Sequence, residues 1–281
     1  MPVAAVVGSP IAQSLSPALH RAAFASAGLD WEYVAFDVPV GAGAAAVEAM
    51  RTLGLAGLSV TTPLKAEVAA AVDRLAPAAL ALNSVNTVVR DGGELVGHST
   101  DGDGFVASLS AVGVDLSGCR VAVVGAGGAA RSLVDAIGRA GAAEVVVVNR
   151  TPTRGAEAAR LAPTSRTGEV VDLASANIVV NATSVGMATA ELPFDPTVLR
   201  PEQIVVDLVY HPLETALLRA AERAGCRTLD GLGMLVHQAV LQQELWTGRR
   251  PDPTVMRAAA LAELDRRAAA HPSVSTHPSV S

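Results

Sequence analysis

The heptapeptide SVTTPLK, residues 59–65, puts a lysine in a place that needs a reason. Thr62 followed by Pro63 reads as a helix start, because a threonine side chain caps free backbone N–H groups and proline suits the first helical position. In PLKAEVAAAVDRL, the residues Leu64, Val68, Val72 and Leu75 share one apolar face. This spacing predicts a helix over 63–75 with Lys65 in its first turn, off the buried stripe. The positive end of a helix dipole disfavours a cation. Lys65 is therefore either a solvated surface lysine or one whose charged form is destabilised toward the range useful for proton transfer.

Other polar side chains gather at the ends of predicted strands, where open α/β sheets place ligands. Ser14 and Ser16 follow the first strand, Thr61 precedes Lys65, Asn86 opens a hairpin, and Asp101 follows it in HSTDGDG. Hydroxyls paired with backbone amides suit a ligand carboxylate, while Lys, Asn and Asp suit ligand hydroxyls. Taken singly, the serines and Asn86 have turn or cap chemistry as an alternative, and Asp101 a helix cap.

A second signal is VVGAGGAAR, residues 123–131, which follows a strand and opens a helix. Gly125 permits the tight turn, Gly127 lets a pyrophosphate approach the backbone, and Ala130 allows close helix–strand packing. The helix N-terminus then faces phosphates. About twenty residues on, an NAD site carries a carboxylate for the ribose hydroxyls. Here the strand EVVVV runs into Asn149-Arg150-Thr151, with Arg154 close behind. A guanidinium grips a 2′-phosphate that a carboxylate would repel, so the pattern favours NADP over NAD.

The elements that position these groups alternate. Strands are expected at 3–8, 31–38 and 58–60, a hairpin at 86–97 turning on Asp91-Gly92-Gly93, and a helix from Pro17 to Ala27. This first half reads as α/β with a mainly parallel sheet. A second α/β run places strands at 120–124, 144–148, 177–181, 203–208 and 226–229, which right-handed crossovers wind into an open parallel sheet. Helices at 231–246 and 252–268 follow, the last returning to the first half across a cleft.

Half of the 281 residues are apolar and the net charge is -6, enough chain for two modest domains and no basic surface for nucleic acid. Cys119 and Cys226 make no disulfide framework, and nothing has metal-ligand spacing. No apolar run spans a bilayer and no signal peptide opens the chain, so a soluble cytoplasmic protein is expected. The repeated HPSVSTHPSVS at 271–281 reads as a disordered or appended tail.

Together these motifs resemble the shikimate dehydrogenase family over nearly the whole chain. The matching residues are Ser14-Leu15-Ser16-Pro17, Val60 to Lys65, Val85-Asn86-Thr87, Thr100 to Gly104, GAGGAAR with the following NRT, NATSVGM at 181–187, DLVYHPLET at 207–215 and GLGMLVHQA at 231–239. The resemblance implies a substrate-binding domain of residues 1–101 completed by helices at 231–270, and a Rossmann-like NADP-binding domain at 102–230. It implies reversible NADPH-dependent reduction of 3-dehydroshikimate to shikimate by a monomer or homodimer, with Lys65 and Asp101 as the catalytic pair. Ser14 and Ser16 would hold the substrate carboxylate with Tyr210 nearby, and Thr61, Asn86 and Gln238 would contact the ring. The cofactor would lie along Gly125, Ala126, Gly127, Gly128, Ala129, Asn149, Arg150, Thr151 and Arg154. Thr183, Ser184 and Leu208 would complete its binding, with Gly231 and Met234 bordering the nicotinamide.

The sequence departs from the family pattern at Gln13, where a histidine is common, and at Arg21, Ser59 and Ser99, where asparagine is. Asn83-Ser84 replaces the usual Gly-Ala. Relatives acting on quinate, with NAD, or on an aminoshikimate share the pattern, and a silent metabolite-sensing relative would be expected to lack the lysine or the aspartate.

Overall fold

The computed structural model describes residues 1–270; the tail expected at 271–281 lies outside the described residues. The first strands and helices in chain order are β1 (Val3–Gly8), α1 (Ser16–Ser26), β2 (Glu32–Asp37), α2 (Gly43–Leu53), β3 (Gly57–Val60), α3 (Lys65–Ala69), β4 (Arg74–Leu75), α4 (Pro77–Leu82), β5 (Thr87–Asp91) and β6 (Glu94–His98). There follow α5 (Asp101–Ser110), β7 (Arg120–Val124), α6 (Gly128–Arg139), β8 (Glu144–Val148), α7 (Pro152–Ala159), β9 (Ser165–Gly168), β10 (Ile178–Asn181), β11 (Ile204–Asp207), α8 (Ala216–Arg223), β12 (Arg227–Leu229), α9 (Leu232–Thr247) and α10 (Pro253–Ala270). No helix among the described residues is long and apolar enough to cross a membrane.

Two six-stranded sheets form, ordered β2-β1-β3-β5-β6-β4 and β12-β11-β10-β7-β8-β9. Every pairing in the second sheet is parallel. Counted within that unit, its order is the 3-2-1-4-5-6 of a Rossmann sheet, with the switch point between β7 and β10. Its central strands are apolar on both faces because helices cover both. Val121, Val123, Val145, Val147 and Val180 enter one core, and Ala122, Val124, Val146, Val148 and Val179 the other.

The first sheet is more mixed than expected. β1 pairs in parallel with β2 and β3, and β4 with β6, but β5 runs antiparallel to both of its neighbours. The predicted helix over 63–75 is the clearest departure. Only Lys65–Ala69 is helical, capped at Leu64 with no side-chain bond, and Thr62 stays outside it. The chain then turns to the sheet edge, where Arg74 and Leu75 pair with Val96 and Gly97. Leu95 N–H donates to the Asp73 carboxylate at 2.7 Å, and Ala76 N–H to Gly97 O at 2.8 Å. Val72 and Leu75 still pack on the same core as Leu64 and Val68, so edge pairing satisfies the apolar pattern without a helix.

α9 and α10 close the first unit from the far end of the chain. Leu15, Leu19 and Ala23 of the α1 region share one core with Val236 and Val240 of α9 and Met256 and Ala260 of α10. α5 lies against both α6 and α9. The approach to α9 depends on Gly104, where a Cβ would sit 2.5 Å from the Gln238 nitrogen; a Cβ at Gly102 would collide with Ser132 O.

Beneath the first sheet runs a buried polar chain. Tyr33 Oη donates to Ser59 Oγ at 2.7 Å, and Ser59 Oγ donates to Gln242 Oε1 at 2.8 Å. Gln242 Nε2 donates to Asn86 O at 3.2 Å, and Gln242 Oε1 also faces His20 Nε2 at 3.3 Å. The His20 ring stacks on Tyr33, centroids 4.4 Å apart. Burial lowers the His20 pKa to about 4, so the ring is neutral with one N–H, which Gln242 Oε1 accepts. His20 Nδ1 is then an acceptor, yet it faces Gln243 Oε1 at 3.4 Å while the buried Gln243 Nε2 has no partner. Turning the Gln243 amide over satisfies both groups.

This burial has a pH consequence. An unfolded histidine protonates near 6.5 and His20 only near 4, so the unfolded state binds more protons between those values and stability falls as pH drops through them. Both tryptophans lie near His20, at 246 directly and at 31 through Phe24. Urea unfolding followed by tryptophan fluorescence should lose about 2 kcal/mol from this group between about pH 7.5 and 5. His20→Asn should remove that part of the slope; a slope identical to wild type would assign it to other groups.

Candidate active site

A cavity of about 440 Å³ opens between the two sheets. Ser14 reaches it from the loop between β1 and α1, Ser16 from the start of α1, Thr61 and Lys65 from beyond β3, Asn86 from just before β5, and Asp101 from the start of α5. From the other side come Gly128 and Ala129 of α6, Leu208 and Tyr210 after β11, and Gly231, Met234 and Gln238 at α9. Residues spread over more than two hundred positions thus line one space.

Its centre is an ion pair. Lys65 Nζ donates to Asp101 Oδ2 at 2.5 Å, with the side chains 21% and 10% exposed. Val85 N–H donates to Lys65 O at 3.0 Å, tying the one-turn helix to the strand that follows. The helix-end argument for Lys65 gives way here, because five residues align few peptide dipoles whereas the carboxylate acts at contact.

Asp101 is in turn held by Asn86, whose Nδ2 donates to Asp101 Oδ1 at 2.7 Å and to Thr100 Oγ1 at 2.9 Å. Asn86 Oδ1 accepts from Thr100 N–H and from Thr87 Oγ1, both at 2.8 Å. Every polar atom of this amide is engaged within the protein, which holds Asp101 in place. Gln238 Nε2 donates to Leu235 O at 2.7 Å. Tyr210 is mostly buried, and burial pushes its hydroxyl pKa up while Arg267 opposes the shift.

The glycine turn faces the same cleft from the Rossmann side. Gly125 has φ +118°, and a Cβ there would press on Ala182 O at 2.9 Å, so the turn itself demands glycine. Gly127 and Gly128 differ. A Cβ at either would meet nothing within 4 Å, and Gly127 has an ordinary φ of −77°. Nothing inside the protein requires glycine at these two positions, and their bare backbone leaves a cradle before the free N–H groups of α6. A dinucleotide pyrophosphate fits that cradle.

Asn149, Arg150, Thr151 and Arg154 stand at the end of β8 and the start of α7, with Thr183 and Ser184 just after β10; these and Gly125 to Gly127 do not line the cavity itself. Arg150 and Arg154 are exposed and form no ion pair among the described residues. Thr183 donates to Asn181 Oδ1 at 2.7 Å.

Several polar residues were not visible as site components from sequence. Gln242 lines the cavity floor beside Ser59. Behind NATSVGM and DLVYHPLET, Asp207 is fully buried and accepts from Asn181 Nδ2 at 2.8 Å and Thr215 Oγ1 at 2.7 Å. Desolvation raises the Asp207 pKa. The signal was the recurrence of polar residues at the ends of valine-rich strands.

A two-lobed cleft with an ammonium–carboxylate pair on one wall and a Rossmann glycine turn on the other defines a dinucleotide-dependent oxidoreductase. Three family profiles match parts of the chain: the shikimate dehydrogenase substrate binding domain residues 6–88, shikimate / quinate 5-dehydrogenase residues 108–191, and the shikimate 5'-dehydrogenase C-terminal domain residues 231–261. The NADP shikimate dehydrogenase of Symbiobacterium thermophilum is 45% identical over 92% of this chain and 94% of its own. Among solved structures, Thermus thermophilus shikimate 5-dehydrogenase, in complex with NADP(H) and shikimate, superposes with a TM-score of 0.88 at 40% identity, covering 93% of this chain and 99% of that one. Quinate dehydrogenase of Corynebacterium glutamicum, in complex with NAD, gives 0.85 at 32% identity over 93% and 98%. The chain belongs to the shikimate dehydrogenase family.

Because Asn86 satisfies buried groups on Asp101 and Thr100, Asn86→Ala should cost about 2 kcal/mol in urea unfolding read by tryptophan fluorescence. A loss below about 0.5 kcal/mol would mean that water replaces the amide.

Proposed function

We infer that this chain catalyses the reversible NADPH-dependent reduction of 3-dehydroshikimate to shikimate, a step of aromatic amino-acid biosynthesis, in the cytoplasm. The observation that carries this reading is the Lys65–Asp101 pair in a hydroxyl-lined cavity that faces the Gly127–Gly128 cradle. Residues 1–101 with 231–270 serve as the substrate domain and 102–230 as the nucleotide domain. The chain works as a monomer or a homodimer.

Bound NADPH supplies a hydride to the ketone carbon. The negative charge that develops on the carbonyl oxygen needs a proton and a nearby cation, and Lys65 offers both. Asp101 keeps the ammonium aimed into the cavity, and Asn86 keeps Asp101 in place. In the reverse direction Lys65, neutral, accepts the hydroxyl proton as hydride leaves. Ser14, Ser16 and Tyr210 offer three hydroxyls in the same cavity for the substrate carboxylate, and Thr61, Asn86 and Gln238 border the ring. Met234, Gly231 and Leu208 form the apolar side that the nicotinamide covers.

At the nucleotide end the absence of a carboxylate after β8, with Arg150 and Arg154 exposed in its place, favours a 2′-phosphate. Asn149 is drawn back onto Thr151 O at 2.8 Å, which shapes the loop around that phosphate.

The direct test is reduced-nicotinamide absorbance with shikimate or quinate, each paired with NADP or NAD. Turnover with shikimate and NADP should dominate; preference for quinate or NAD would overturn the assignment. Lys65→Ala should lower kcat by about two to four orders of magnitude with a far smaller change in KM. An unaltered kcat where chemistry limits turnover would remove Lys65 from the mechanism. Arg150→Ala should raise KM for NADPH about tenfold and leave KM for NADH unchanged. Equal effects on both cofactors would place the phosphate elsewhere.

A further inference from the structure

The wall assigned to the substrate carboxylate is uncharged. Ser14, Ser16 and Tyr210 contribute hydroxyls, and Lys65, the one cation lining the cavity among the described residues, is already paired with Asp101. A carboxylate that enters a chain of net charge -6 therefore meets no free positive charge on the cavity surface.

A cation does stand immediately behind that wall. Arg267, in the last turn of α10, donates from Nη1 to Gln13 O at 2.8 Å and from Nη2 to Ser14 O at 3.0 Å. The planar fork thus grips two successive carbonyls of the serine loop, across more than 250 residues of sequence. Its Nε donates to Glu263 Oε1 at 2.7 Å, and Glu263 is shared with Arg266, whose Nε and Nη2 donate at 2.8 and 2.7 Å. The two arginines hold the Glu263 carboxyl down to about 2, leaving a cluster of two guanidiniums and one carboxylate with a net positive charge. Arg267 is 23% exposed, and its charge reaches the Tyr210 hydroxyl.

The grip also orients the loop. In a trans peptide the C=O and the next N–H point in opposite directions. With Ser14 O turned to Arg267, the Leu15 N–H is turned away from it, and this N–H has no hydrogen-bond partner among the described residues. Ser14 Oγ meanwhile accepts from Ser16 N–H at 3.3 Å, keeping both serines in one turn.

We propose that Arg267 is a positioning residue for substrate carboxylate recognition: it fixes the Gln13–Ser14–Leu15 backbone so that hydroxyls and the Leu15 N–H meet the carboxylate, and supplies the positive field that the wall lacks. The inference rests on Ser14, Ser16 and Tyr210 being the carboxylate subsite. The carboxylate-bearing end of the substrate is then recognised by an element outside the motif-bearing segments, at the end of the described chain.

The test compares shikimate with its neutral analogue in which a hydroxymethyl group replaces the carboxylate, using wild type, Arg267→Gln, Arg267→Lys and Ser16→Ala. Arg267→Gln should raise KM for shikimate about tenfold with kcat within about threefold, leave KM for NADP unchanged, and barely alter kcat/KM for the neutral analogue. Arg267→Lys, which keeps charge without the fork, should recover part of the acid preference. Equal losses on acid and neutral analogue would reduce Arg267 to loop packing and overturn the proposal, as would no loss on either. A wild type without acid preference, or Ser16→Ala with its preference intact, would overturn the subsite reading itself and take the proposal with it. Retained acid preference in Arg267→Gln alongside its loss in Ser16→Ala would overturn only the role of Arg267.

Discussion

An ammonium and a carboxylate 2.5 Å apart and mostly out of water stand only where the surrounding structure over-determines their positions. Three strand ends of the first unit do that here. β3 delivers Lys65, β5 delivers Asn86, and the turn from β6 into α5 delivers Thr100 and Asp101. These strands are neighbours in the sheet, so three strand ends meet at one point. The Asn86 amide then spends all its hydrogen-bonding capacity on locking Asp101 and Thr100. Gln242 supports Asn86 from below through its backbone carbonyl. The ion pair is the top of a polar column that continues through Ser59 and Tyr33 into the core.

The second unit meets this column with a different device. Its core is apolar residues packed on both faces of a parallel sheet, and among the described residues before β11 it lines the cavity with Gly128, Ala129 and Met187. At the cavity the first unit supplies most of the polar side chains, and the second adds approachable main chain and the Tyr210 hydroxyl. α5 joins them, and its glycines allow it to lie against helices of both: Gly102 against α6 and Gly104 against α9.

What the sequence disclosed followed from burial. β1, β7 and β8 were legible to the residue because strands covered on both faces must be continuously apolar. β9, with the polar sequence SRTG on a sheet edge, carries no such signal and was missed; so was α4, a single alanine-rich turn and a half. The helix over 63–75 was overextended because Val72 and Leu75 have helical spacing yet reach the core from an edge strand. At the site, the groups with chemical character were legible from motifs. Their supports were not: Ser59 and Gln242 are 183 residues apart, and Arg267 lies more than 250 residues from Ser14. Such pairings exist only once the fold has brought distant segments together.

The return of α10 to α1 has a bearing on the order in which the chain can mature during synthesis. The Rossmann sheet uses residues 120–229 without interruption, so it can close as soon as that stretch has left the ribosome. The first sheet emerges earlier yet must wait longer. Leu15, Leu19 and Ala23 share their core with Val236, Val240, Met256 and Ala260, so the apolar side of α1 stays open until α9 and α10 have been made. The lobe that is made first is thus completed last, and through that interval its exposed leucines are a surface for chaperones to hold.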